Sequence, residues 1–246
     1  WEGLHYYRVH CAYPAYYTYK KEDDYLKMTE LIAEFIMTLD ENYKYCSVEF
    51  LHLFGKWLSK KGIKSIVATA AENNVPIFCP AIIDSPYGDA ALIAKSKGFN
   101  LILDGVKDYA EFMKIGEKVK DVGVIYIGGG VPKDFIQLLA VTADLLYDDR
   151  KIPNRKNPLI RKGTNESYYP HKYAIQITTD SPQWGSLSGC TFEEAISWGK
   201  INDKGKFVQC YCDATIALPI VTQALAERLK FKRPKIDLSF LFKKVN

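Results

Sequence analysis

The chain has 246 residues, 48% of them apolar and 25% charged, with a formal net charge of +4. That is enough for one large α/β domain or two small ones with a substantial core, and no apolar run approaches the roughly 18 residues that a bilayer span requires. The lysines are scattered among acids rather than gathered into arginine-rich or aromatic-interleaved stripes, which argues against nucleic acid as a partner.

The first residues, Trp1 to Tyr7, carry neither an initiator methionine nor the basic-then-apolar layout of a signal peptide, so the chain is expected to begin within a longer protein. Residues 20 to 60 read as helical, with Leu26, Leu31, Phe35, Ile36 and Leu39 spaced to line one face. From about Ile63 onward, short β-rich runs alternate with amphipathic stretches, the pattern of a Rossmann-like, doubly wound α/β fold with a mostly parallel sheet and helices on both faces. Strands are predicted over Val75 to Ala81, Asn100 to Leu103, Val122 to Ile127, Tyr173 to Thr178 and Phe207 to Cys212. The helices between them are predicted over Gly88 to Lys97, Lys107 to Lys118, Lys133 to Leu146, Thr191 to Trp198 and Ala214 to Lys230. The stretch from Asp148 to Pro170 is polar and broken by prolines, so it reads as a long excursion. The reading is of one domain: a mainly helical lead-in over 1–62, a binding core over 63–230 and a tail over 231–246.

Six cysteines are present, none in a CxxC pair or a Cys/His ladder. That pattern supports no metal site and fits reduced thiols in the cytoplasm.

Chemistry is expected at the carboxyl ends of the strands, where open parallel sheets bind ligands. The first such stretch is "DSPYGD", in which Asp84 and Asp89 either hold ribose hydroxyls or cationic amines, or cap the next helix. The second is "IGGGVPKDFI". Its Gly128, Gly129 and Gly130 form either an anion cradle at a helix N-terminus or a close-packed turn. The third runs through Trp184, Ser186 and Ser188 into "EEAISWGKI", where Gly199 stops a helix just before Lys200. The fourth is "CDATIALPI", whose Asp213 precedes Ala214 and either caps the last long helix or meets a ligand.

Taken in order, "DSPYGD", "IGGGVPKDFI", "GSLSG", "EAISWGKI" and "CDATIALPI" resemble the deoxyhypusine synthase family from about Val75 to Leu229, and "EAISWGKI" is the most specific of them. The resemblance implies an NAD-dependent, usually homotetrameric enzyme with active sites between subunits. Such an enzyme moves the aminobutyl group of spermidine to a lysine of the hypusine-carrying translation factor. Lys200 matches the lysine that forms an imine with that group, and desolvation beside an aromatic wall favours the unprotonated amine that such a nucleophile needs. Trp198 matches the indole along the polyamine, and Glu194 and Asp89 match carboxylates that face it. Ser186, Ser188 and Trp184 fall in the turn beside the polyamine. Asp84, Gly128, Gly129, Gly130, Asp213 and Ala214 match positions in or near the NAD site.

Three departures accompany the resemblance. Asp134 and Phe135 stand where eukaryotic members carry a histidine pair, so Asp134 or a group from another subunit is expected to handle the proton. Trp184 and Leu187 replace two acids, so weaker spermidine binding is expected, with Phe135 adding bulk to the pocket. The sequence looks more like the bacterial and archaeal branches, some of which use putrescine as acceptor to make homospermidine. The N-terminal nucleotide-binding turns of the family have no counterpart here. A related chain supplying that part, or a regulatory role beside a complete partner, therefore stands beside the homotetramer expectation.

Overall fold

The computed structural model describes residues 14–116, 119, 122–147, 170–229, 236–243 and 245. The chain divides into two compact units, one over Trp1–Gly105 with Lys244–Asn246 and the other over Val106–Lys243. Most of the excursion at 148–170, together with Cys11 and 230–235, lies outside the described residues.

In the first unit, α1 (Pro14–Ile36) is followed by β1 (Lys44–Tyr45), α2 (Ser47–Lys60), α3 (Ile66–Glu72), α4 (Pro86–Ser96) and β2 (Ile102–Leu103). The single helical reading of 20 to 60 breaks at 37–46, where the Asp40 carboxylate accepts the Asn42 N–H at 2.9 Å and closes a turn. Helix α2 then starts on a capping box, with the Cys46 N–H donating to Glu49 at 3.2 Å. Phe35 and Ile36 are buried as the periodicity predicts, but Leu26 is 52% exposed. Phe35 meets Phe50 with ring centroids 5.4 Å apart, and Phe54 meets Tyr87 edge-on at 5.9 Å. These rings are the centre of a core that also takes in Leu58, Ala90 and Ala94. The predicted strand from Val75 to Ala81 is absent. Asn74 turns the chain with φ 53, and Pro76 and Pro80 lack the N–H groups a ladder needs. Residues Ile102–Leu103 do form a strand, paired in parallel with Lys44–Tyr45.

From its second residue on, α5 (Gly105–Gly116) belongs to the second unit, which also contains β3 (Gly123–Ile127), α6 (Val131–Tyr147), β4 (His171–Thr178), α7 (Phe192–Ser197), β5 (Ile201–Tyr211) and α8 (Ala214–Arg228), with short 3-10 turns at Pro182–Trp184 and Ser239–Phe242. Strands β3, β4 and β5 form one parallel sheet in that order, in register at Ile125, Ile175 and Val208. The protein is thus a mixed α/β chain with parallel strands in two sheets. In β3, Val124 and Tyr126 are buried while Ile125 and Ile127 are more than half exposed. The alternation sets one sheet face against α7, where Phe192 and Ala195 join Val124, Tyr126 and Ala174 in a core. Strand β5 begins six residues before the predicted Phe207, with a register irregularity between His171 and Tyr173 on β4. Cys46, Cys79, Cys190, Cys210 and Cys212 are free thiols.

Candidate active site

The short helix α7 explains why its sequence ends as it does. The Thr191 hydroxyl caps its start by accepting the Glu194 N–H at 3.3 Å. At its end Gly199 adopts φ 70, its N–H donates to the Ile196 carbonyl at 2.8 Å, and the Lys200 N–H donates to the Ala195 carbonyl at 2.9 Å. This paired closure needs a left-handed residue at Gly199. The stop also delivers an amine. Lys200 Nζ lies 3.0 Å from Asp134 Oδ1 and 5.7 Å from the centre of the Trp198 ring. Its side chain is only 15% exposed, and its carbonyl accepts the His171 N–H at 3.0 Å. Lys200 precedes β5, so it stands at the amino end of its strand rather than at the carboxyl ends, where ligands were expected.

The glycine turn joins β3 to α6. Gly128 and Gly130 have φ 68 and 82, and a Cβ at either would meet nothing within 4 Å. At Gly129 a Cβ would lie 2.3 Å from the Ser188 N and Cα, so that residue serves close packing. Close packing is thus seen at Gly129, and open space at Gly128 and Gly130. Open space beside Gly128 and Gly130, at the start of a 17-residue helix, fits the phosphate of a nucleotide such as NAD.

Opposite Gly129, Ser186 and Ser188 both donate to the Asp180 carboxylate, with their hydroxyls 2.8 Å apart. Those two bonds hold the Asp180 carboxyl below the usual range. Asp180 escaped the sequence reading. It brings a carboxylate to the turn in which Trp184 and Leu187 replace two acids. Trp184 itself is 71% exposed. Phe135 does not add bulk here. Its ring packs 4.8 Å from Phe112 and 5.9 Å from Tyr109 on α5, because it leaves the helix on a different side from Asp134.

Beneath these groups lies a buried polar layer that sequence patterns did not single out. Lys133 is buried and donates to Gln176, to the Leu187 carbonyl and to the Cys190 carbonyl. Burial lowers its pKa, and the nearby Lys200 charge adds to this. Gln137 donates to the Tyr126 hydroxyl, which lies 3.2 Å from His171 Nδ1. Burial lowers the His171 pKa to about 4 and raises that of Tyr126 to about 12. Among the described residues, His171 Nε2 has no hydrogen-bond partner. Burial also pushes the Cys190 thiol up, and a hydrogen bond with Glu194 adds to that.

Asp213 caps α8, accepting the Thr215 N–H at 2.8 Å and hydroxyl at 2.6 Å, and Ala214 opens that helix. Asp84 and Asp89 belong to the first unit. There Ser85 rather than either aspartate caps α4, and Asp89 accepts the Tyr25 hydroxyl. Among the described residues, no group of three His, Cys, Asp or Glu side chains is placed to hold a metal ion, and no helix is long and apolar enough to cross a membrane.

The fold and site define a parallel α/β protein that sets one shielded lysine between a carboxylate and an indole, beside an open glycine turn. The family model described as deoxyhypusine synthase matches residues 15–225, and the chain belongs to that family. It is 44% identical over 217 residues to "Probable deoxyhypusine synthase 2" of Methanosarcina mazei, a match covering 87% of this chain and 57% of that protein. A protein of the same name from Archaeoglobus fulgidus is 43% identical over 221 residues, or 89% of this chain and 65% of that one. The "Deoxyhypusine synthase-like protein" of Elusimicrobium minutum is 34% identical over 224 residues, 89% of this chain and 54% of that one. The chain thus spans between about half and two thirds of these relatives' length. A crystal structure of an Entamoeba histolytica protein assigned as a deoxyhypusine synthase shares the fold, with a TM-score of 0.53 and 20% identity over 81% of this chain and 54% of that one.

Proposed function

We propose that this chain transfers the 4-aminobutyl group of spermidine, through an imine on Lys200, to a lysine of the hypusine-carrying translation factor. The observation that carries the reading is Lys200 itself, shielded from solvent, 3.0 Å from Asp134 and beside the Trp198 indole. Asp134 stands where it can take the proton of the Lys200 ammonium and return it to a departing amine. Attack of the freed Lys200 amine on the oxidised polyamine then releases diaminopropane, and the acceptor amine later displaces Lys200. Trp198 and Trp184 offer exposed faces to the methylenes and cationic amines of the polyamine. Glu194, with Asp180 beside Ser186 and Ser188, offers it negative charge, and Asp89 is proposed for the same role on the family resemblance alone.

NAD supplies the chemistry of oxidation and of the closing reduction by taking and returning a hydride. Gly128 and Gly130 leave room for its phosphates, Gly129 holds that turn against Ser188, and Asp84, Asp213 and Ala214 are proposed to complete the site. In this reading the chain's fold is Rossmann-like and doubly wound. The chain works in the cytoplasm as a homotetramer or with a related chain.

The test is mass spectrometry of products from spermidine and NAD, with and without putrescine and the translation factor, together with borohydride trapping. Added mass on the peptide holding Trp198 and Lys200, lost in Lys200→Ala, is expected. Label on another lysine refutes the assignment. Conversion of putrescine to homospermidine with the factor left unmodified moves the acceptor to putrescine, and no turnover without a related subunit points to the regulatory role.

A further inference from the structure

Lys133 is 5% exposed, and the proposed reaction makes no use of it. Its ammonium has three N–H donors, and its three acceptors lie on two segments, a strand and a turn. The acceptors are Gln176 Oε1 on β4 at 3.1 Å, the Leu187 carbonyl at 2.8 Å and the Cys190 carbonyl at 3.1 Å. None of the three is charged. Burying a cation among neutral acceptors costs free energy that an apolar side chain would not. What the cation supplies is direction, since three bonds from one atom fix β4 and both ends of the 187–190 turn against the first turn of α6.

The neighbouring residue, Asp134, leaves the helix about 100° further round and reaches Lys200 Nζ at 3.0 Å. The pinned turn is the one that abuts Gly129, carries Ser188 and follows directly on Ser186. Gln176, which Lys133 holds from one side, donates in turn to the Ser188 carbonyl at 2.8 Å. One buried amine therefore sits at the junction of the glycine turn, the serine turn and the helix that bears Asp134.

We propose that Lys133 is a positioning residue, which locks the 187–190 turn and β4 to the start of α6 so that Asp134 stands opposite Lys200. The proposal rests on Lys200 being the nucleophile. A buried amine is also a chemical rival for that part, but Lys133 is fully engaged and nearly closed to solvent, whereas Lys200 has one carboxylate partner and an exposed indole beside it.

The experiment compares the parent chain with Lys133→Met and Lys133→Gln by two readouts. The first is hydrogen–deuterium exchange of the 186–190 amides without substrate or cofactor. The second is borohydride trapping at Lys200 with spermidine and NAD, alongside kcat and KM for spermidine. Release of the turn is expected to speed amide exchange there by about tenfold, the equivalent of one lost hydrogen bond. Trapping and kcat are expected to fall by about 100-fold, as a displacement of about 1 Å produces, with KM changed by less than about threefold. If the Met variant does not fold, the Gln variant decides by the same measurements. Unchanged exchange, or full trapping despite a released turn, overturns the proposal, as does label on Lys133 in the parent. Absence of trapping in the parent instead defeats the reading of Lys200 on which the proposal rests.

Discussion

Replacing Gly129 with alanine is expected to destabilise the protein more than the same change at either neighbouring glycine. The new Cβ would sit 2.3 Å from the Ser188 N and Cα and 2.7 Å from the Leu187 carbonyl carbon, all of them backbone atoms. Ordinary contact begins at 3.4 Å, so the 187–188 turn must retreat by about 1 Å, roughly the shortfall in a van der Waals contact. It is not free to do so, because Lys133 holds the Leu187 carbonyl at 2.8 Å and Gln176 holds the Ser188 carbonyl at 2.8 Å. Overpacking of this kind costs about 1–3 kcal/mol, and one loosened hydrogen bond adds about 1 kcal/mol. For a chain of this size that corresponds to a Tm lower by roughly 4–16 °C. Gly128→Ala meets no atom within 4 Å but keeps a φ of 68, and its left-handed backbone costs about 1–2 kcal/mol. Thermal melts of both variants without ligand are the assay. A Gly129→Ala protein that melts within about 1 °C of the parent, or above Gly128→Ala, refutes the close-packing argument.

Three further outcomes are expected. Asp134→Asn keeps the shape but removes the proton acceptor from Lys200, so kcat should fall by roughly 10²–10⁴-fold, and activity within tenfold of the parent assigns the proton to another group. Asp180→Asn should raise KM for spermidine by about tenfold with kcat little altered, through loss of one charge-assisted contact; an unchanged KM removes Asp180 from the polyamine site. His171, buried neutral with a pKa of about 4 against the ordinary 6.5, takes up its proton more readily in the unfolded chain. The stability it contributes is therefore full above about pH 6.5, is lost as pH falls toward 4, and amounts to about 3 kcal/mol. Urea midpoints at pH 7 and pH 4.5 should differ less in His171→Gln than in the parent, and an equal pH dependence in both contradicts this account.

Local chemistry made much of this protein legible from its sequence. The helix that ends at Gly199, the cap at Asp213 and the apolar alternation of Val122 to Ile127 each depend on residues within one turn or one strand, so patterns of a few residues suffice. The glycines after Ile127 and the lysine after Trp198 could be picked out for the same reason. Tertiary structure decided what depends on distant pairings. Lys44–Tyr45 is too short to register as a strand until Ile102–Leu103, the end of the predicted Asn100 to Leu103 run, pairs with it, while the apolar run from Val75 is kept from strand pairing by its prolines. The same holds in the site. Asp134 and Lys200 are 66 residues apart, and Lys133 and the Leu187 carbonyl 54 apart. No local pattern announces that Lys133 points into the protein while Asp134 points at an amine. That division follows from the packing of α6 against a turn which only the folded sheet brings within reach.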